Sequence, residues 1–215
     1  MPKRVNGSTF ASEEALKLLS NNPHWNGDDT FRTSPTLFAR LYYIHAWDEY
    51  SMELVIYSFC ENKSETCYHE LLESLLAHVT KQNITLNPST ILIDLEQCMI
   101  NVINDVFPQT LVKGCRFRYT QNIWKTVKKY NLVTLSKQEN VRREIANIIA
   151  LPLILPNGIN NCMENTIDEL CNYDSKLEKS TDYVIKNYIE DGRFPLAMWN
   201  HFDTIGERPR TNNHL

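Results

Sequence analysis

Apolar residues in this chain fall first into short strand-like runs and then, from Lys137 onward, almost wholly at helical spacing. Ser12 to Leu19 predicts a short helix: Ser12 can cap it, Glu14 lies in its first turn, and Leu16, Leu18 and Leu19 supply apolar contacts. DDTFRT, LFARLYYIHAW and MELVIYSFC follow, rich in Tyr, Phe, Ile and Val with a polar break at Asp48-Glu49. They predict an antiparallel meander of three strands. Thr66 to Val79 carries Tyr68, Leu71, Leu72, Leu75, Leu76 and Val79 at helical spacing. Past Pro88, Thr90 to Leu95 is a short apolar run suited to a buried strand, and Glu96 to Phe107 is a second amphipathic helix. Leu111 to Phe117 is expected as a fifth strand and Thr120 to Tyr130 as a third amphipathic helix. Lys137 to Phe202 is helical, with breaks at Pro152, Pro156-Asn157-Gly158, Gly192 and Pro195.

Three strands, a helix, a strand, a helix and a strand is the order of an α/β, ribonuclease-H-like core: a mixed five-stranded sheet with flanking helices, which by itself carries no function. The expected division is a core over 12–135 and a mostly helical insertion or subdomain over 136–215. The chain has 215 residues, 42% hydrophobic and 22% charged, ordinary for a globular protein. Its net charge of −4 argues against a free-standing nucleic-acid binder, whose domain is usually basic. The first residues have no apolar core of a signal peptide, and the greasiest run, Ile148 to Leu155, is too short for a bilayer. An intracellular protein with no membrane contact is expected. Its six cysteines form no CxxC pair and are expected reduced and mostly buried.

Asp28 and Asp94 sit at or near the ends of predicted strands. Carboxylates on adjacent central strands can converge on one hard cation, although acids at strand ends are also common in turns. Asp29, Glu96 and Asp105 are expected to be solvated or capping. From Lys113 to Arg143 nine basic residues face Glu139 alone, a local balance of +8. Lys113, Arg116, Arg118, Lys125, Lys128 and Lys129 belong to this stretch, with Tyr119 and Trp124 among them. Such a run can neutralise phosphates. It can equally be the solvated face of a helix whose Ile123, Trp124 and Val127 are core. The six histidines form no HxxxH or HExxH pattern and are expected to pack or face solvent. No G-x-S-x-G, phosphate-loop or dinucleotide fingerprint is present.

Four ordered segments carry a resemblance. They are Asp28-Asp29-Thr30-Phe31-Arg32-Thr33 behind His24-Trp25; Asp94-Leu95-Glu96 leading into Asn101 to Pro108; Cys115-Arg116-Phe117-Arg118-Tyr119-Thr120-Gln121; and Arg208-Pro209-Arg210-Thr211-Asn212-Asn213. Together they resemble the catalytic domain of a Mutator-like element (MULE) transposase, from about Ser12 to Leu215. The family has D-G-T-F at the first segment, so Asp29 replaces a glycine and adds charge. It has C-x-F-H-x-x-Q at the third, so Arg118 replaces a histidine. Arginine cannot ligate zinc, which leaves Cys115 as a buried core thiol. The resemblance implies metal-dependent DNA cleavage and strand transfer, with Asp28 and Asp94 holding Mg²⁺ or Mn²⁺. DNA, as element ends and target, would lie against Lys113, Arg116, Arg118, Lys125, Lys128, Lys129, Arg208 and Arg210. It also implies a nuclear location and leaves room for a homo-oligomer. The final acidic residue follows the asparagines within a few positions in the family, and no glutamate stands there before Leu215. The domain is therefore expected to be incomplete or inactive as it stands. A non-catalytic, transposon-derived DNA-binding or interaction protein and a plain α/β interaction domain remain as alternatives.

Overall fold

The computed structural model describes residues 9–30, 38–47, 51–189 and 191–207. The chain divides into two compact units, one running to Lys113 and the other beginning at Gly114. In the first, β1 (Thr9–Phe10), α1 (Glu13–Asn21), β2 (His24–Thr30), β3 (Arg40–Trp47), β4 (Met52–Cys60), α2 (Glu65–Lys81), β5 (Thr90–Ile93) and α3 (Gln97–Val106) lead to β6 (Leu111–Gly114). The described strands form one mixed sheet in the order β1-β4-β3-β2-β5-β6. β2, β3 and β4 are the expected antiparallel meander, and β2 also runs parallel to β5. Crossing back to a parallel position requires a long connection, and α2 lies within it.

The sheet has six strands, not five. The additional one, β1, pairs Thr9 with Ser58 and Phe10 with Tyr57 on the free edge of β4. Two residues carry no alternation, so only the partner strand reveals it. β2 begins at His24, ahead of the acidic Asp28-Asp29 pair, because His24, Trp25 and Asn26 pair with Thr90, Ile91 and Leu92.

Local chemistry sets the helix ends. Ser12 and Ser64 cap α1 and α2, each Oγ accepting the backbone N–H three residues on, from Ala15 at 3.1 Å and Cys67 at 3.2 Å. Beyond the last turn of α2, Asn83 has φ +56° and lets the Ile84 amide return to the Val79 carbonyl at 3.0 Å. The apolar stripe of α2 (Tyr68, Leu71, Leu72, Leu75, Val79) is buried and the helix packs on β4 and α3. Trp25 of β2 is 2% exposed, donates through Nε1 to the Asn22 carbonyl at 2.9 Å, and meets Phe107 edge-on at 5.6 Å.

The second unit holds α4 (Arg116–Lys129), α5 (Glu139–Ala150), α6 (Ile159–Tyr173), α7 (Glu178–Tyr188) and the short α8 (Leu196–Trp199). The fifth predicted strand ends at Gly114, three residues before the expected end, and Arg116 to Arg118 form the first turn of α4. The reason is the 3.6-residue period that already governs this stretch: Tyr119, Ile123, Thr126 and Val127 are the buried side of the helix. Tyr119 stacks on Trp199 at 5.9 Å, meets Tyr188 edge-on at 4.7 Å, and donates through its hydroxyl to the Ile148 carbonyl at 2.8 Å. His201 donates from Nε2 to the Gly114 carbonyl at 2.8 Å. Among the described residues no helix is long and apolar enough to cross a membrane.

Gly27 lies where β3 and β5 flank β2. A methyl group there would overlap the Tyr42 hydroxyl and sit 3.1 Å from Cγ2 of Ile93. Gly27→Ala is expected to destabilise the protein by about 1–3 kcal/mol through overpacking, measured by urea unfolding.

Candidate metal centre

Asp28 is in β2 and Asp94 immediately follows β5, so the parallel pairing of these strands carries both acids to one place. Ligand atoms of Asp28, Asp29 and Asp94 lie within 4.8 Å of one another, all three residues being partly exposed. The Asp28 carboxylate accepts the backbone N–H of Asp29 at 2.8 Å through Oδ1, which fixes its orientation. Gly27, Tyr42, Tyr68, Ile93 and Met99 wall the cleft beside these acids. Oxygen-only donors suit a hard divalent cation, and Asp28 with Asp94 would supply them.

Asp29 does not stand solvated, as the sequence suggested. Its side chain is 7% exposed and forms an ion pair with Arg40, itself 2% exposed. Lys63 adds a second cation, 3.3 Å from Oδ2 of Asp29. Glu96 is not a solvated or capping acid either: it occupies the N-cap position of α3 without a side-chain cap bond. It accepts instead from the Tyr68 hydroxyl at 2.7 Å and from Lys63 at 2.6 Å, with Arg40 3.8 Å away. Arg40 also donates to the Tyr68 hydroxyl at 2.9 Å, closing the network. Asp105 alone matches the solvated expectation, 74% exposed and 3.6 Å from His69.

Burial raises the Glu96 carboxyl above its ordinary range, opposed by the Tyr68 hydrogen bond and Arg40. Burial likewise raises Tyr42, reinforced by the charges of Asp94, Asp29 and Asp28, so its hydroxyl stays protonated. Burial and the bond to Glu96 do the same to Tyr68. Arg40, Lys63 and Tyr68 were absent from the sequence-derived site. The one signal was an arginine inside the apolar run LFARLYYIHAW, since a cation on a buried strand demands a partner.

The basic candidates separate in the fold. Lys113 is on β6 and half-buried, while Arg116 and Arg118 are half-buried in the first turn of α4. Arg118 donates to Oε1 of Gln121 at 3.2 Å. Lys125, Lys128 and Lys129 are exposed on α4, and Trp124 is exposed with them while Ile123 and Val127 are core. Trp124 thus leaves the apolar side on which the helical alternative placed it. Cys115 is fully buried, the core position expected of it. Arg208 and Arg210 lie outside the described residues.

Removing Arg40 strands the Asp29 charge. Because Lys63 stays as a partial partner, Arg40→Met is expected to cost about 3 kcal/mol, the low end for a broken buried pair. Arg40→Met with Asp29→Leu should cost less than the two single changes summed, by ~1 kcal/mol or more, in a urea-unfolding double-mutant cycle.

No curated protein matches the chain. Its segment 24–122, from the start of β2 into α4 and including Asp28 and Asp94, matches the family model of the MULE transposase domain.

Proposed function

We propose that this chain acts as a DNA transposase domain of Mutator-like type, cleaving and joining DNA with Mg²⁺ or Mn²⁺ held by Asp28 and Asp94. The family match indicates a transposase-type domain in general. The observation that carries the finer reading is the convergence of Asp28 and Asp94 at the junction of β2 and β5 inside the matched segment. A ribonuclease-H-like core is supported by the antiparallel meander continued in parallel by β5, with β6 beyond it. We assign 12–135 to the catalytic core and 136–215 to a mostly helical insertion, whereas the compact units divide at Lys113 and Gly114.

A divalent ion at the two aspartates would activate the attacking hydroxyl and stabilise the leaving oxygen of a phosphodiester. The protein's own part is to hold the carboxylates: the Asp29 amide orients Asp28, and the β2–β5 register sets the distance to Asp94. Arg40 and Lys63 offset the charges of Asp29 and Glu96, which limits repulsion around the pair. DNA contacts are assigned to Lys113, Arg116, Arg118, Lys125, Lys128 and Lys129, and to Arg208 and Arg210. The exposed Trp124 beside the α4 lysines adds a stacking surface. A nuclear location and assembly as a homo-oligomer accompany this reading.

A second reading is a transposon-derived protein that binds DNA without cutting it. It is favoured by Asp29 standing where the family has glycine, with its carboxylate engaged by Arg40 and Lys63.

Incubation with supercoiled plasmid in Mg²⁺ or Mn²⁺ separates the two. Nicking that falls ~100-fold or more in Asp94→Asn is the expected result. Salt-sensitive DNA binding without nicking, unchanged in Asp94→Asn, would transfer the assignment to the second reading. Absence of binding even at low salt would sink both. For the DNA surface, Lys128→Ala is expected to lower the slope of log K against log salt by about 1.

A further inference from the structure

Two lysines from different helices meet at one aromatic ring. Tyr130 closes the last turn of α4, its N–H donating to the Thr126 carbonyl at 3.1 Å. Asn131 follows with φ +58° and lets the Leu132 amide return to the Val127 carbonyl at 2.9 Å, which fixes where the ring stands. Nζ of Lys129 lies 5.4 Å from the Tyr130 ring centroid. Nζ of Lys179, brought in by the packing of α7 on α4, lies 6.0 Å from the same centroid. Both lysines are exposed and Tyr130 is half-buried. A ring face attracts a cation without neutralising it. Among the described residues no carboxylate pairs with either ammonium.

Lys129 has a local reason for its place. With Lys128 it stands in the last turn of α4, where the helix dipole favours positive charge. Lys179 has the opposite setting: it is the second residue of α7, at the end of the dipole that disfavours a cation, with only Glu178 beside it to compensate. Helix packing then sets it near a like charge. The result is a fourth exposed cation continuing the row of Lys125, Lys128 and Lys129, an arrangement suited to a polyanion. Building on the DNA-binding role proposed for the chain, we infer that the DNA surface of the second unit crosses from α4 to α7. Lys179 neutralises a backbone phosphate together with Lys129, and the Tyr130 ring holds the two ammonium groups at one place. Lys179 lies outside the basic run of the sequence, which ends at Arg143.

Binding of the full chain to a fluorescent DNA duplex is followed by anisotropy over a series of salt concentrations. Lys179→Ala is expected to lower the magnitude of the slope of log K against log salt by about 1, and Lys129→Ala with Lys179→Ala by about 2. Lys179→Arg, which keeps the charge, should retain the unmutated slope. So should Lys81→Ala, which removes an exposed cation from the last turn of α2 in the first unit. If the unmutated chain binds and Lys128→Ala lowers the slope while Lys179→Ala does not, the DNA-binding role stands and the extension to α7 is wrong. An equal fall in Lys81→Ala would also overturn it, because any lost charge would then count the same. No binding by the unmutated chain at low salt would remove the DNA role and the extension together. Lys179 is exposed, so its replacement takes no side chain from the core.

Discussion

A guanidinium buried at 2% exposure is the constraint around which the first unit is organised. Taking Arg40 out of water costs several kcal/mol unless carboxylates and hydrogen-bond acceptors surround it. Asp29, Tyr68 and, at longer range, Glu96 do so. These partners come from β2, α2 and the start of α3, so one charge ties the meander to the helices that follow it. It also explains why two acids beside the Asp28–Asp94 pair are structural. Their charge is offset by Arg40 and Lys63.

The parallel pairing of β2 with β5 does the remaining work of assembly. Thr90, Ile91 and Leu92 bond along His24, Trp25 and Asn26, which brings the C-terminal ends of both strands to the same side. Side chains just beyond paired strands of an open α/β sheet are displayed together at that end, where ligands commonly bind. Gly27 tightens the arrangement, since Tyr42 and Ile93 approach the space a side chain would need. A site built this way is held by backbone hydrogen bonds rather than by a loop.

The second unit obeys a different economy, with amphipathic helices around an aromatic cluster of Tyr119, Tyr188, Phe194 and Trp199. α4 shows how one helix divides its tasks. Tyr119, Ile123 and Val127 are core, while Trp124, Lys125 and Lys128 face solvent. The basic run in the sequence is therefore split by the helical period. Only part of it is exposed to solvent.

Periodicity was enough to find the meander, the buried β5 and the amphipathic helices, because each rests on local pattern or on short-range order along the chain. It did not find β1, whose two residues become a strand only against Ser58 and Tyr57. It misplaced the end of β6, where a strand pattern and a helical one overlap at Arg116 to Arg118. Nor could it pair Arg40 with Asp29 or Lys63 with Glu96. Residue types by themselves determined that acids, cations and thiols were present. Which of them neutralise one another, and which remain to bind or react, was decided only when strand register and helix packing brought distant side chains within a few ångströms, where burial makes every unmatched charge costly.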